Sequence, residues 1–174
     1  MPIPRLITGT LLLAALLSSL LSGCGQVVTK PSARATDKLQ QQAALLEAGG
    51  DHQAAAQLFL NRAREVAPPE RYRLQMFAAG SLIRGEDYVQ ATGLLDEIPA
   101  DQLAVQDDQH YRLLRAAIAL GEQRPDTVLA LLADVPASGP HIADYRRLRS
   151  DALLQDSQYL QAAEERVLLD PLLT

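Results

Sequence analysis

The segment "GEDYVQATGLLDEIPA" (Gly85–Ala100) returns as "GEQRPDTVLALLADVPA" (Gly121–Ala137) with one inserted residue, so this chain repeats itself. Tyr88-Val89-Gln90-Ala91 comes back as Tyr159-Leu160-Gln161-Ala162, 71 residues later, and "GDHQAAAQLF" (Gly50–Phe59) has the same shape, with Ala55 lying 36 residues before Ala91. A period of 34 to 37 residues holds two short helices and a turn, and one such unit cannot bury its apolar face alone. The repeat therefore restricts the chain to stacked units in which each covers its neighbour.

Inside the repeat the apolar spacing is helical. Ala55, Leu58 and Phe59, or Leu74, Phe77, Ala78 and Leu82, fall at intervals of three and four, and no segment alternates with period two. Gly49-Gly50-Asp51, Pro68-Pro69, Gly85-Glu86-Asp87, Pro99, Gly121 to Pro125, Pro136 to Pro140 and Asp156-Ser157 carry helix stop and start signals. They cut the chain into about eight helices, hence an all-α fold of about four hairpins. Alanine at 55, 91 and 162 lets the second helix of a hairpin approach the first closely, while Phe59, Leu95 and Leu131 are expected to fill the groove between them. The pattern resembles tetratricopeptide-type hairpins, although the Trp of that consensus is missing. The resemblance implies a right-handed solenoid, a curved rod on the order of 40 Å long at 8–10 Å per helix.

The N-terminal residues have another character. A head with Arg5, an apolar run from Leu6 to Leu17 and a small-residue exit at Ser22 and Gly23 have the layout of a secretory signal peptide. The run reaches the ~20 apolar residues of a spanning helix only if Thr8, Gly9, Thr10, Ser18 and Ser19 are counted. Leu21-Ser22-Gly23-Cys24 resembles a bacterial lipobox, and Cys24 is the single cysteine. It can form no intramolecular disulfide and has no base beside it for thiolate catalysis, so lipid attachment is its expected use. Three regions follow: signal peptide 1–23, lipidated tether 24–35 containing Pro31, and helical domain 36–174. Gly25 is not the aspartate of inner-membrane retention rules, which favours an outer-membrane anchor facing the periplasm.

Removing residues 1–23 removes only Arg5 among the charges and leaves 15 Lys and Arg against 21 Asp and Glu, a net of −6. That balance disfavours nucleic acid as a partner. Nor does a catalytic set emerge. His52, His110 and His141 lie near helix starts in different repeats, without a ligand at the four-residue spacing of a one-helix metal site, and are expected to be solvent-exposed. The pairs Asp96-Glu97, Asp107-Asp108 and Glu164-Glu165 are neighbours on helices and point apart, and acids at 107 and 108 suit a helix N-terminus. With no phosphate loop, nucleophile elbow or zincin motif, no cofactor or metal is expected and the chain does not read as an enzyme.

The lipobox, the tether, hairpins ending in Leu-Leu-x-x-Ile/Val-Pro (Leu94 to Pro99, Leu131 to Pro136) and the ending "AAEERVLLDPLL" (Ala162 to Leu173) resemble the N-terminal domain of the LpoA/LppC family. These are outer-membrane lipoproteins that activate a bifunctional penicillin-binding protein. The resemblance implies regulation of peptidoglycan synthesis, that synthase as partner, peptidoglycan as a further contact and outer-membrane lipid as the seat of an anchor at Cys24. The alternative is a tetratricopeptide-like lipoprotein adaptor of another envelope assembly machine. Family members continue into further helices and a C-terminal domain resembling periplasmic binding proteins. Leu168, Leu169, Leu172 and Leu173, with only Asp170 charged among the last seven residues, accordingly read as a surface awaiting cover in a longer protein.

Overall fold

The computed structural model describes residues 33–173. The signal segment, Cys24 and the tether up to Ser32 lie outside the described residues. Among those described there are eight α-helices and no strand: α1 (Ala33–Ala48), α2 (His52–Ala63), α3 (Glu70–Arg84), α4 (Tyr88–Asp96), α5 (Val105–Gly121), α6 (Pro125–Leu132), α7 (Ile142–Gln155) and α8 (Tyr159–Leu169). The all-α expectation holds, and every anticipated break falls at a helix boundary.

The hairpin turns are four copies of one backbone device. Gly50, Glu86, Gln123 and Ser157, spaced 36, 37 and 34 residues apart, adopt left-handed φ values of 82°, 60°, 58° and 60°. The amide of each donates to the carbonyl three residues back: Gly50 to Glu47, Glu86 to Ile83, Gln123 to Leu120 and Ser157 to Leu154. The next amide donates five residues back: Asp51 to Leu46, Asp87 to Leu82, Arg124 to Ala119 and Gln158 to Leu153, at 2.8–2.9 Å. These paired bonds form the Schellman motif, which satisfies carbonyls orphaned at the helix end. The second helix starts at once. Asp51 and Asp87 cap α2 and α4 by accepting from the amides of Ala54 and Gln90, and Pro125 opens α6 at its first position.

Consecutive helices pack on one another from α1 through α8, and first helices of neighbouring hairpins also touch, α3 with α5 and α5 with α7. Counting from the left-handed residue aligns the four seams. Seven residues before it stand Ala43, Ala79, Ala116 and Ser150, all buried. Five residues after it stand Ala55, Ala91, Val128 and Ala162, also buried. These small side chains let the two axes come together. Nine residues after it stand Phe59, Leu95 and Leu132, which fill the groove. Leu132 corrects the expected Leu131, which is only half-buried. The reason is register: Glu86 and Gln123 are 37 residues apart, so the inserted residue lies before the turn residue and carries every later position with it. Two apolar clusters result, one running from α1 to α5 and one from α5 to α7, with α5 contributing Leu114 and Ile118 to the first and Leu113, Ala116 and Ala119 to the second.

Candidate interaction surface

Four rings, three on different helices and the fourth just before α7, make a ladder. Phe59 and Phe77 have centroids 5.5 Å apart, Phe77 and His110 are at 6.0 Å, and His110 and His141 stack at 4.9 Å with an interplanar angle of 11°. The exposure expected of the histidines is thereby corrected, since all three are half-buried. His110 projects from the second turn of α5 between Phe77 of α3 and His141, the residue preceding α7. Burial, then the positive charge His141 can carry, hold its imidazole down at about 4. His52 packs elsewhere: a Cβ on Gly85 would come within 2.8 Å of the His52 Cβ, so only glycine fits there without a shift. A trace of the ladder exists in the sequence, because His110 lies 33 residues after Phe77, close to one repeat. Which ring faces which is set by helices far apart along the chain.

Beside the ladder, Ser81 Oγ and Arg84 Nη2 both donate to Glu47 Oε1, at 2.6 and 2.5 Å, tying α3 to α1. Burial pushes the Glu47 carboxyl up, yet the bonds from Arg84 and Ser81 outweigh it and hold the group below the ordinary carboxylate value. A groove of about 210 Å³ lies over Gln40, Ala44, Glu47, Phe59, Phe77 and Arg84. A second, of about 430 Å³, is lined by Arg84, Tyr88, Ala117, Arg147, Asp151 and Gln155 among others. Arg84 borders both. The two grooves therefore adjoin and present aromatic, amide and mixed-charge groups to whatever enters.

The carboxylate pairs do diverge. Asp107 and Asp108 occupy the first turn of α5; Arg73 donates to Asp107 through Nε at 2.9 Å and Nη2 at 3.1 Å, whereas Asp108 accepts from Arg112. The bidentate bond to Asp107 raises the Arg73 guanidinium above its ordinary value. Asp96 accepts from Arg115, and Glu97 from Gln75. Glu165 is buried beside α7, while Glu164 faces out. Among the described residues no group of three or more His, Cys, Asp or Glu could hold a metal ion, and no helix is long and apolar enough to cross a membrane.

The outer face of α8 differs from that of the preceding second helices. His52, Tyr88 and Pro125 stand two residues after their turn residue and are half-buried; Tyr88 lies against the end of α5, where a Cβ on Gly121 would meet its ring at 2.2 Å. Tyr159 at the same place is 67% exposed, and Ala163 and Val167 continue the exposed stripe at helical spacing. Of the four terminal leucines, Leu169 folds into the core, while Leu168, Leu172 and Leu173 remain exposed.

Residues 50–174 match the family model described as LppC putative lipoprotein. No curated protein and no solved structure matches the chain. The matched span takes in three complete hairpins and the whole second helix of the first, including both Leu-Leu-x-x-Ile/Val-Pro endings and the terminal segment in which the resemblance was read, and on that match the chain belongs to the LppC lipoprotein family.

Proposed function

We propose that this chain is the helical N-terminal domain of an outer-membrane lipoprotein, anchored through a lipidated Cys24 and facing the periplasm, that regulates peptidoglycan synthesis by activating a bifunctional penicillin-binding protein. The observation that carries this reading is the family match over residues 50–174. Four hairpins with the same turn, each packed on the next, support stacking as a right-handed tetratricopeptide-like solenoid. In that arrangement residues 1–23 are a cleaved signal peptide, 24–35 a tether and 36–174 the solenoid. The exposed Tyr159, Ala163 and Val167 support a longer array in which a further hairpin covers α8. The mixed-charge grooves favour a protein partner over nucleic acid.

Purification of the tagged chain from detergent-solubilised envelopes tests the reading directly. A co-purifying bifunctional penicillin-binding protein is the expected result. Recovery of a β-barrel assembly complex would favour the adaptor reading, and release of muropeptides from purified sacculi would show an enzyme instead. The anchor has its own test: Cys24→Ser should abolish lipidation and leave a precursor or a soluble periplasmic form. Unchanged membrane fractionation of that variant would reject Cys24 as the anchor.

A further inference from the structure

We propose that the Phe77–His110–His141 stack is an acid-sensitive joint, holding the fourth hairpin (α7 and α8) against the third (α5 and α6) while the His110 imidazole is neutral and loosening it when that ring is protonated. The geometry is that of a fastening between elements. His110 belongs to α5, its ring lies 6.0 Å from Phe77 of α3 on one side and 4.9 Å from His141 on the other, and His141 immediately precedes α7. The two imidazoles stack nearly parallel, at 11°. Two imidazoliums at that separation repel in surroundings that water screens poorly.

The charged groups around the joint set its response. On α3, Arg84 adds positive potential, while Arg73 is committed to Asp107. On α5, Asp107 favours a charged His110, yet its bidentate bond to Arg73 offsets much of its field. On α7, Asp144 also favours the charged form and accepts from Arg147 at 3.1 Å. Burial and His141 prevail over these carboxylates, taking His110 from 6.5 down to about 4. A base depressed in the folded state contributes stability that is complete above its unfolded value. That stability is lost as pH falls from 6.5 to about 4 and changes no further below. Mild acid therefore acts on this joint before most carboxylates are protonated.

Hydrogen exchange of the full chain at pH 7 and pH 4.5, corrected for intrinsic rates, is the experiment. Amides of α7 and α8 should lose protection by roughly tenfold or more at pH 4.5 relative to those of α2 and α3. His110→Phe continues the ladder with a ring that cannot titrate and should abolish the differential loss. In a histidine NMR titration of the wild type, His110 should titrate well below the ordinary imidazole range, and His141→Gln should move its midpoint upward. Loss of protection spread evenly over all helices, a differential loss that persists in His110→Phe, or a His110 midpoint near 6.5 would each overturn the proposal.

Discussion

The second and fourth hairpins share one turn and are held together in different ways. Between α3 and α4 the seam is apolar, with Leu74, Ala78, Leu82, Ala91 and Leu95 buried. Between α7 and α8, Tyr145, Leu153 and Ala162 stay buried where Leu74, Leu82 and Ala91 stand, but other positions have turned polar. Ser150 replaces the alanine seven residues before the turn, Glu165 stands where Leu58, Leu94 and Leu131 stand, and Arg166 stands where Phe59, Leu95 and Leu132 stand. Arg146 donates to Glu165 at 2.6 Å, Arg149 lies 3.0 Å from its other oxygen, Arg166 donates to Ser150, and Ser150 donates to the Ala162 carbonyl. Burial stabilises a leucine in any orientation that excludes water, at roughly 1.5–3 kcal/mol for a full side chain. A buried ion pair must first offset desolvation and then rewards only correct geometry. The fourth hairpin thus trades adhesive strength for a demand that α8 sit in one register.

The largest expected effect tests the apolar member of the pair. Ala91→Arg forces a long cation into the α3–α4 seam and should destabilise the domain by about 3 kcal/mol or more, read as a lowered denaturation midpoint. An unchanged midpoint would place Ala91 outside the seam and remove the contrast. Next, Glu165→Ala strands Arg146 and Arg149 in a partly buried site and should cost about 3 kcal/mol. Importing the second hairpin's residues at the matching positions, as Arg146→Gln, Arg149→Ala and Glu165→Leu together, should recover most of that loss, because no unpaired charge remains. A triple variant less stable than Glu165→Ala would mean that the two seams are not interchangeable.

Smaller effects sharpen the comparison. Ser157→Gly relieves a left-handed residue without touching either seam and should stabilise by about 1 kcal/mol, whereas Gly50→Ala should cost a similar amount. Thermal melts of both variants check the claim that all four turns are one device. Glu47→Gln should have the smallest effect, no more than about 1 kcal/mol, because its partner Arg84 is half-exposed. Since the Glu47 carboxyl is held below its ordinary value, its contribution is present above that value and is lost as pH falls through the lowered folded one. The wild type should therefore lose its advantage over Glu47→Gln in acid; an advantage constant with pH would detach this contact from Glu47 ionisation.

Much of this architecture is visible in local residue choice. The turns can be found because glycine, aspartate and proline respond to backbone requirements a few residues away, and Ala55, Ala91 and Ala162 mark close approach because packing distance selects for size. Leu132 eludes such a reading by one position: an insertion beside a turn displaces the register, and both Leu131 and Leu132 suit a helix. The histidines mislead for a related reason. An imidazole near a helix start is compatible with solvent or with a stack, and the decision between them belongs to Phe77, on another helix.

By itself, then, the sequence determined the helix count, the repeat length, the break positions and the family, since each depends on pattern within one repeat or on likeness along the chain. Only the tertiary structure decided that His110 lies between Phe77 and His141, that Glu165 is buried between two arginines, and that Tyr159 lacks the cover given to Tyr88. Those outcomes depend on the relative rotation of helices from different repeats. That rotation is set by summed packing over whole faces, a non-local quantity that no single residue encodes.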